Sequence, residues 1–79
     1  MNVTVISPDS VREMRVEWLD IITLEGSRII MHGHAPLVEM LAPHRPISMK
    51  LPGGAIKSIP VAGGIVSVTR TDVLIVLET

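Results

Sequence analysis

The sequence predicts an all-β fold, a flattened β-sandwich or barrel of about eight to ten short strands, and three observations support it. Apolar and polar residues alternate with a period of two, as in Ile47 and Met49 against Ser48 and Lys50. Gly, Pro, Ser and Asp recur at short intervals between the apolar runs. Helical spacing of apolar residues is scarce. We therefore expect a single β-sandwich domain over residues 1–79.

The predicted strands are apolar-rich runs that lie between turn-forming residues. In chain order they are residues 2–6, 11–18, 19–24, 28–31, 47–51, 55–59, 64–69 and 73–78. Within 14–24 the apolar face changes parity near Trp18, which predicts a bulge or bend there and a strand that serves both sheets. Residues 36–42 are the one candidate for a short helix, with Pro36 in its first turn.

Turn-forming residues divide these segments at 7–9, 25–27, 43–46, 52–54 and 69–72. Glycine tolerates positive φ and close backbone approach. Gly53 and Gly54 therefore predict a hairpin turn, and Gly63 and Gly64 predict a strand start or a bulge.

Composition restricts the classes of function. The net charge of −1 and the single aromatic residue, Trp18, give no basic face or stacking platform, so we expect no nucleic-acid partner. The aliphatic run at 73–77 is far shorter than the roughly 20 residues that span a bilayer. Hydrophobic residues make up 47% and charged residues 19%, below the average of about 25% for charged residues. We therefore expect exposed apolar surface that a permanent partner covers.

The sequence contains no recognisable catalytic motif. No serine lies in a nucleophile elbow, and the glycine pairs lack the Lys-Ser/Thr ending of a phosphate-binding loop. Asp20, Glu25 and Glu39 are isolated carboxylates in a strand-rich chain, where such groups are usually solvated. We expect no enzyme active site and no cofactor.

One spacing suggests an alternative function. Gly26, His32, His34 and Glu39 nearly reproduce the first metal motif of cupins, which are also small β-barrels, and imidazole with carboxylate suits a divalent transition metal. Position 46 is Pro46 where that motif has a glycine, and no histidine follows Pro60 to supply the second motif. A small cupin-like metal-binding β-barrel therefore stays the alternative, with His32, His34 and Glu39 as its ligands.

Three segments carry a family resemblance. Residues 33–37 read Gly-His-Ala-Pro-Leu, residues 61–65 read Val-Ala-Gly-Gly-Ile, and the chain ends Val-Leu-Ile-Val-Leu-Glu-Thr. With these segments the chain resembles the N-terminal β-sandwich domain of the epsilon subunit of F-type ATP synthases. In that family residues 36–42 are extended, so the resemblance favours a short strand over a helix there. His32 stands where the family has proline, and the preceding loop is shorter, with Arg-Ile-Ile-Met at 28–31.

The resemblance implies a non-catalytic rotor component of the central stalk, which links the gamma subunit to the membrane c-ring for proton-driven ATP synthesis. It implies a peripheral location on the cytoplasmic face of a bacterial inner membrane, through the complex. It also implies a c-ring contact at one end of the sandwich, at Ser7, Glu25, Gly26, Ser27, Arg28 and His34.

Family members continue into a C-terminal helical hairpin, whereas this sequence stops at Thr79. Either a short natural subunit or a truncated form explains that difference. Both predict no inhibition by a hairpin and no nucleotide site. A β-sandwich adaptor for an unrelated partner is the third possibility.

Overall fold

The computed structural model describes residues 1–78, which form nine β-strands and confirm the all-β prediction. The strands are β1 (Asn2–Ser7), β2 (Ser10–Arg15), β3 (Trp18–Thr23), β4 (Gly26–Met31), β5 (Leu37–Leu41), β6 (Ile47–Lys50), β7 (Ile56–Ile59), β8 (Gly64–Val68) and β9 (Asp72–Leu77). No helix of the length and hydropathy needed to cross a membrane occurs in these residues.

The strands form one curled sheet that folds into two layers. The larger layer has the strand order β2-β1-β9-β8-β5, and the smaller layer has the order β4-β3-β6-β7. Neighbouring strands are antiparallel except β1 and β9, which run parallel. The smallest extent of the molecule is 17 Å, which fits two sheets packed about 10 Å apart.

Strand β3 joins the layers, as the parity change in the sequence predicts. Trp18 to Asp20 pair with β6, whereas Thr23 pairs with Leu41 of β5. Two further backbone hydrogen bonds extend this junction: Leu24 N–H donates to Met40 O at 3.0 Å, and Ala42 N–H donates to Ile22 O at 2.9 Å. The strand therefore belongs to both layers.

The core lies between the layers and is built by alternate residues of every strand. On β9, for example, Val73, Ile75 and Leu77 are buried while Leu74 and Val76 are exposed. The same alternation on the other strands gathers the buried side chains into a single cluster. Its most deeply buried large members include Leu19, Ile21, Ile30, Ile47 and Met49.

Two predicted boundaries are wrong. The predicted strand 11–18 ends at Arg15, and Trp18 begins β3, because the chain bends at Val16 and Glu17. Val16 N–H donates to Met1 O at 3.0 Å, and Glu17 N–H donates to Lys50 O at 2.7 Å, so these residues leave the β1–β2 ladder. The bend predicted near Trp18 is thus confirmed, and it lies at Val16 and Glu17.

The second wrong boundary is the break at 25–27. The turn is Leu24-Glu25, and Gly26 already belongs to β4, at φ 128°. The Thr23 hydroxyl tightens this connection, since it donates to Gly26 O at 3.1 Å and accepts from Glu25 N–H at 3.0 Å. The remaining segments are confirmed, including the strand at 37–41 and the turn at Gly53-Gly54, where φ is 95° and 100°.

Candidate interaction surface

The outer face of the larger layer carries a continuous row of apolar side chains. In the register of the sheet, Val11 lies beside Ile6, Ile6 beside Val76, Val76 beside Ile65, and Ile65 beside Met40. One residue from each of the five strands thus contributes to a band, which we call the apolar band. Ile6 is half-buried, and the other four are exposed.

Polarity increases along the same face away from the band. The next row is mixed, with Leu74 and Val38 beside Glu13, Thr4 and Ser67. The row beyond it is polar, with Arg15, Asn2 and Asp72. The apolar surface is therefore concentrated towards the end of the larger layer at which β8 begins and β9 ends.

The outer face of the smaller layer is different. Its central row runs from Ile29 through Asp20, Ser48 and Ser58, and the two serine hydroxyls lie 3.1 Å apart. Polar groups therefore interrupt the apolar residues of this layer, and this face offers water hydrogen-bond partners across its middle.

An ion pair lies between the layers. Arg28 of β4 and Glu39 of β5 both occupy inward-facing positions, and Arg28 Nε and Nη2 donate to Glu39 Oε1 and Oε2 at 2.8 and 2.9 Å. The hydrogen bond from Arg28 holds the pKa of Glu39 below its usual value, and the same bond raises the pKa of Arg28. The pair thus ties β4 to β5 on the inner side of the sandwich.

The four residues of the metal alternative do not converge. Gly26 begins β4 and His32 is exposed in the turn after it. His34 directs Nδ1 to Ala35 O at 2.7 Å, and Glu39 binds Arg28. Within residues 1–78 no group of three or more His, Asp or Glu side chains is placed to hold a metal ion. The geometry gives the cupin-like alternative no support.

The residues of the expected c-ring contact do not all lie at one end of the sandwich. Ser7 ends β1, where its hydroxyl lies 2.6 Å from that of Ser10. Glu25 to Arg28 form the β3–β4 hairpin, and His34 follows the far end of β4. Six strand residues span about 20 Å, so the length of β4 separates His34 from the hairpin.

His34 is placed against the β8–β9 turn. Gly33 N–H donates to Arg70 O at 2.7 Å, and the Arg70 guanidinium donates to Gly33 O at 3.2 Å. Arg70 precedes Asp72, which pairs with Asn2 at the beginning of β1, whereas Ser7 ends that strand. His34 and Ser7 therefore lie at opposite ends of the larger layer.

The main depression of the surface contains no paired catalytic groups. It is open and is lined by His44, Pro46, Pro60, Val61 and Ala62, among which only His44 has an ionisable side chain. A general acid–base pair needs two groups in reach of one substrate, which this depression does not offer.

Comparison with known families matches the whole chain to one of them. The family described as ATP synthase, delta/epsilon chain, β-sandwich domain matches residues 1–79. The chain belongs to this family. The resemblance that the 33–37 turn and the 61–65 segment predict is thereby confirmed.

Solved structures agree with this assignment. A chain of the Euglena gracilis mitochondrial ATP synthase, solved as OSCP/F1/c-ring in rotational state 1, is 25% identical and superposes with a TM-score of 0.89. The alignment covers 98% of the delta/epsilon domain described here but 49% of that chain. Comparison with curated proteins gave no match.

A chain of the Tetrahymena thermophila mitochondrial ATP synthase, from its central stalk/c-ring structure, shares the fold at a TM-score of 0.80 and 18% identity. The alignment covers all of this chain and 63% of that one. The delta/epsilon domain thus spans less than two thirds of either matched chain.

Sequence reasoning missed the apolar band and the Arg28–Glu39 pair. The band depends on the lateral register of five strands, whereas a strand pattern shows only which residues share a face. The pair joins inward-facing positions of two strands in different layers. The sequence instead predicts Arg28 in the c-ring contact and Glu39 as a ligand of the metal alternative. The excess of apolar residues did predict that some would stay exposed, and this is confirmed.

Proposed function

We propose that this chain is the non-catalytic epsilon subunit of an F-type ATP synthase, a rotor component of the central stalk that links the gamma subunit to the c-ring for proton-driven ATP synthesis. Membership of the delta/epsilon family and the 0.89 superposition on a chain of an F1/c-ring assembly support the proposal. The apolar band is the observation that carries it, because it provides a surface suited to a permanent partner.

The gamma subunit is proposed to cover the apolar band. The band runs unbroken across five strands, and burial of exposed apolar side chains contributes roughly 25 cal/mol for each Å² removed from water. Polar residues such as Asp72 and Arg15 at the other end of the face fit the solvated rim that surrounds the apolar centre of an interface. Torque would pass through this contact.

The c-ring contact is proposed at Ser7, the hairpin from Glu25 to Arg28, and His34. Ser7 and the hairpin lie towards one end of the sandwich and His34 towards the other, so we expect Ser7 and the hairpin to meet the polar loops of the ring and His34 to contribute at a separate point. Hydrogen bonds from exposed side chains would supply this contact. Arg28 contributes less than the other hairpin residues, because its guanidinium is bound to Glu39.

The subunit is proposed to work without an active site of its own and to lie at the membrane periphery through the complex. The matched assemblies are mitochondrial, so a place on the cytoplasmic face of a bacterial inner membrane stays a prediction.

The gamma contact is tested by co-purification with membranes that carry the complex. Ile65→Lys places a charge within the apolar band, beside Val76 and Met40, and should reduce recovery of a gamma-like subunit at least about tenfold, since a buried unpaired charge is costly. Ile56→Lys is the control, because Ile56 is an isoleucine of the smaller layer that is even more exposed than Ile65. Equal recovery with both variants would exclude the band as the gamma surface.

The ring contact is tested with Ser27→Arg and His34→Asp, singly and together, in reconstituted complexes. We expect each substitution to weaken proton-coupled ATP synthesis in part and the double variant to weaken it most. Ser27 is preferred to Gly26 for substitution, because the φ of Gly26 strains any side chain. Unchanged coupling in the double variant would show that the ring contact lies elsewhere.

A further inference from the structure

The hairpin between β3 and β4 depends on one side chain of β4 for its attachment to the rest of the molecule. Within residues 1–78, β4 has a single strand neighbour, β3, so its backbone ladder fixes it along one edge. The inward-facing positions of β4 are Gly26, Arg28 and Ile30. Glycine has no side chain, and Ile30 lies in the core at the far half of the strand. Arg28 is therefore the side chain that attaches the hairpin end of β4.

The partner of Arg28 is a fixed point of the larger layer. The guanidinium donates through Nε and Nη2 to both carboxylate oxygens of Glu39, at 2.8 and 2.9 Å. Glu39 lies in the middle of β5, which pairs with β8 along its whole length, and its side chain is only 13% exposed. Two parallel hydrogen bonds between planar groups fix orientation as well as distance. One carboxylate thus holds the β4 arm of the hairpin from the other layer.

The turn itself is bound to the start of β4. The buried Thr23 hydroxyl donates to Gly26 O at 3.1 Å and accepts from Glu25 N–H at 3.0 Å. Glu25 and Ser27, on either side of Gly26, are exposed. The turn therefore moves together with the first residues of β4, and its direction depends on what holds Arg28.

We propose that Glu39 is a positioning residue, which fixes the β3–β4 hairpin through Arg28 and so directs Glu25 and Ser27 at one partner surface. This inference rests on the proposed ring contact, of which the hairpin is one part. It assigns the geometry of that contact to an inward-facing residue of β5. A hairpin held in one orientation binds its partner without the free-energy cost of being ordered first.

A second ion pair provides the control. Lys50 Nζ lies 3.5 Å from Glu17 Oε2, and the Glu17 side chain is 52% exposed. A single exposed contact of this kind contributes little to order. Glu17 also precedes β3, whereas the hairpin follows that strand. Glu17→Gln therefore removes a charge from an ion pair without touching the attachment of the hairpin.

Amide hydrogen exchange of the full chain tests the attachment. Glu39→Gln keeps the size of the side chain but replaces one acceptor oxygen by an NH₂ group, which cannot accept from Arg28. We expect the N–H groups of Leu24 and Glu25 to exchange at least about tenfold faster, while the amides of β9 keep their rates. Glu17→Gln should leave the hairpin rates unchanged. Unchanged hairpin rates in Glu39→Gln would overturn the inference.

A charge swap separates the ion pair from packing at position 39. Arg28→Glu combined with Glu39→Arg restores a bidentate pair between the same two strands and should return the hairpin rates to within about threefold of those of the unmodified chain. Fast exchange that persists in the folded swap variant would assign the effect to packing of Glu39 and overturn its role through Arg28.

Reconstituted complexes test the consequence for function. Glu39→Gln should lower proton-coupled ATP synthesis about threefold or more, because only the fraction of hairpins in the competent orientation binds well. The charge swap should recover synthesis, and recovery of the gamma-like subunit should not change. Full synthesis with Glu39→Gln, where Ser27→Arg impairs it, would overturn the inference and leave the ring contact in place. Full synthesis with Ser27→Arg and His34→Asp together would refute the ring contact, while the exchange rates would still decide whether Glu39 holds the hairpin.

Discussion

The two outer faces of the sandwich have the same backbone construction and opposite surface chemistry. In the larger layer, Val11, Ile6, Val76, Ile65 and Met40 line up across five strands without a polar residue between them. In the smaller layer, Asp20, Ser48 and Ser58 occupy the middle of the face. Both layers contribute inward side chains to the same core, so folding alone does not require the difference.

This difference separates the residues that fold the chain from those available for assembly. A folded domain gains stability from its inward-facing residues, whereas an unbroken outward apolar row adds little until another surface covers it. On the smaller layer, polar groups keep the face compatible with water. The larger layer is thus the face best suited to a permanent contact.

The sharpest test of this separation compares neighbours on β9. Ile75 is fully buried and Val76 is exposed, although they are adjacent in sequence. Ile75→Ala should lower the free energy of unfolding by about 2–5 kcal/mol, because it leaves a cavity in the core. Val76→Ala should lower it by less than about 1 kcal/mol, the range of strand propensity. Urea denaturation measures both, and comparable losses would mean that the apolar band is already covered in the free chain.

A smaller loss of stability is expected from substitutions at Gly63, which precedes β8, and at Gly64, which begins it. A Cβ on Gly64 would collide with the carbonyl oxygen of Val76, which is fixed backbone of β9. A Cβ on Gly63 would meet only the Glu78 carboxylate, at 2.9 Å, and that flexible side chain can move.

Gly64→Ala should therefore lower the free energy of unfolding by about 1–3 kcal/mol, while Gly63→Ala should change it little. Thermal unfolding followed by circular dichroism distinguishes them. Since Val76 belongs to the apolar band, Gly64→Ala should also displace the band and weaken its contact. A neutral Gly64→Ala would show that β8 and β9 adjust their separation without loss.

The smallest expected effect concerns the Arg28–Glu39 pair, which joins the layers. The pKa of Glu39 is lowered in the folded chain, so its ion pair stabilises the fold above the unfolded value of about 4.3. That stability is lost as the pH falls through the folded pKa. We expect the difference in melting temperature between the unmodified chain and Glu39→Gln to be present at pH 7 and to shrink as the pH falls below about 4.3. A difference that does not change as the pH falls would assign the effect to packing rather than charge.

Much of the fold could be predicted because alternation is a local signal. The pattern of Ile47 and Met49 against Ser48 and Lys50 locates β6 and its buried face correctly. The parity change near Trp18 predicts that one strand serves both layers, and β3 does so. Boundaries were less accurate where distant backbone decides them, as at Glu17, whose N–H is bound by Lys50.

The candidate surfaces could be predicted only in part. Composition indicates that apolar residues must remain exposed, but their assembly into the apolar band depends on which strands become neighbours. Strand β9 lies between β1 and β8, so Val76 connects Ile6 to Ile65, and no local pattern encodes that order. Likewise the sequence predicts Arg28 only as part of a strand and of the expected c-ring contact, because its partner Glu39 lies on β5, which the curled sheet brings within reach.

The parallel pairing of β1 with β9 also bears on how the chain is made. Asn2 pairs with Asp72 and Ile6 with Val76, so β1 is synthesised well before the strand that becomes its neighbour. At about 5–20 residues per second, β1 waits several seconds on the ribosome with only the β1–β2 hairpin available to it. The charged residues of β2 then have an early role, because they keep the nascent hairpin soluble until β9 emerges and closes the larger layer.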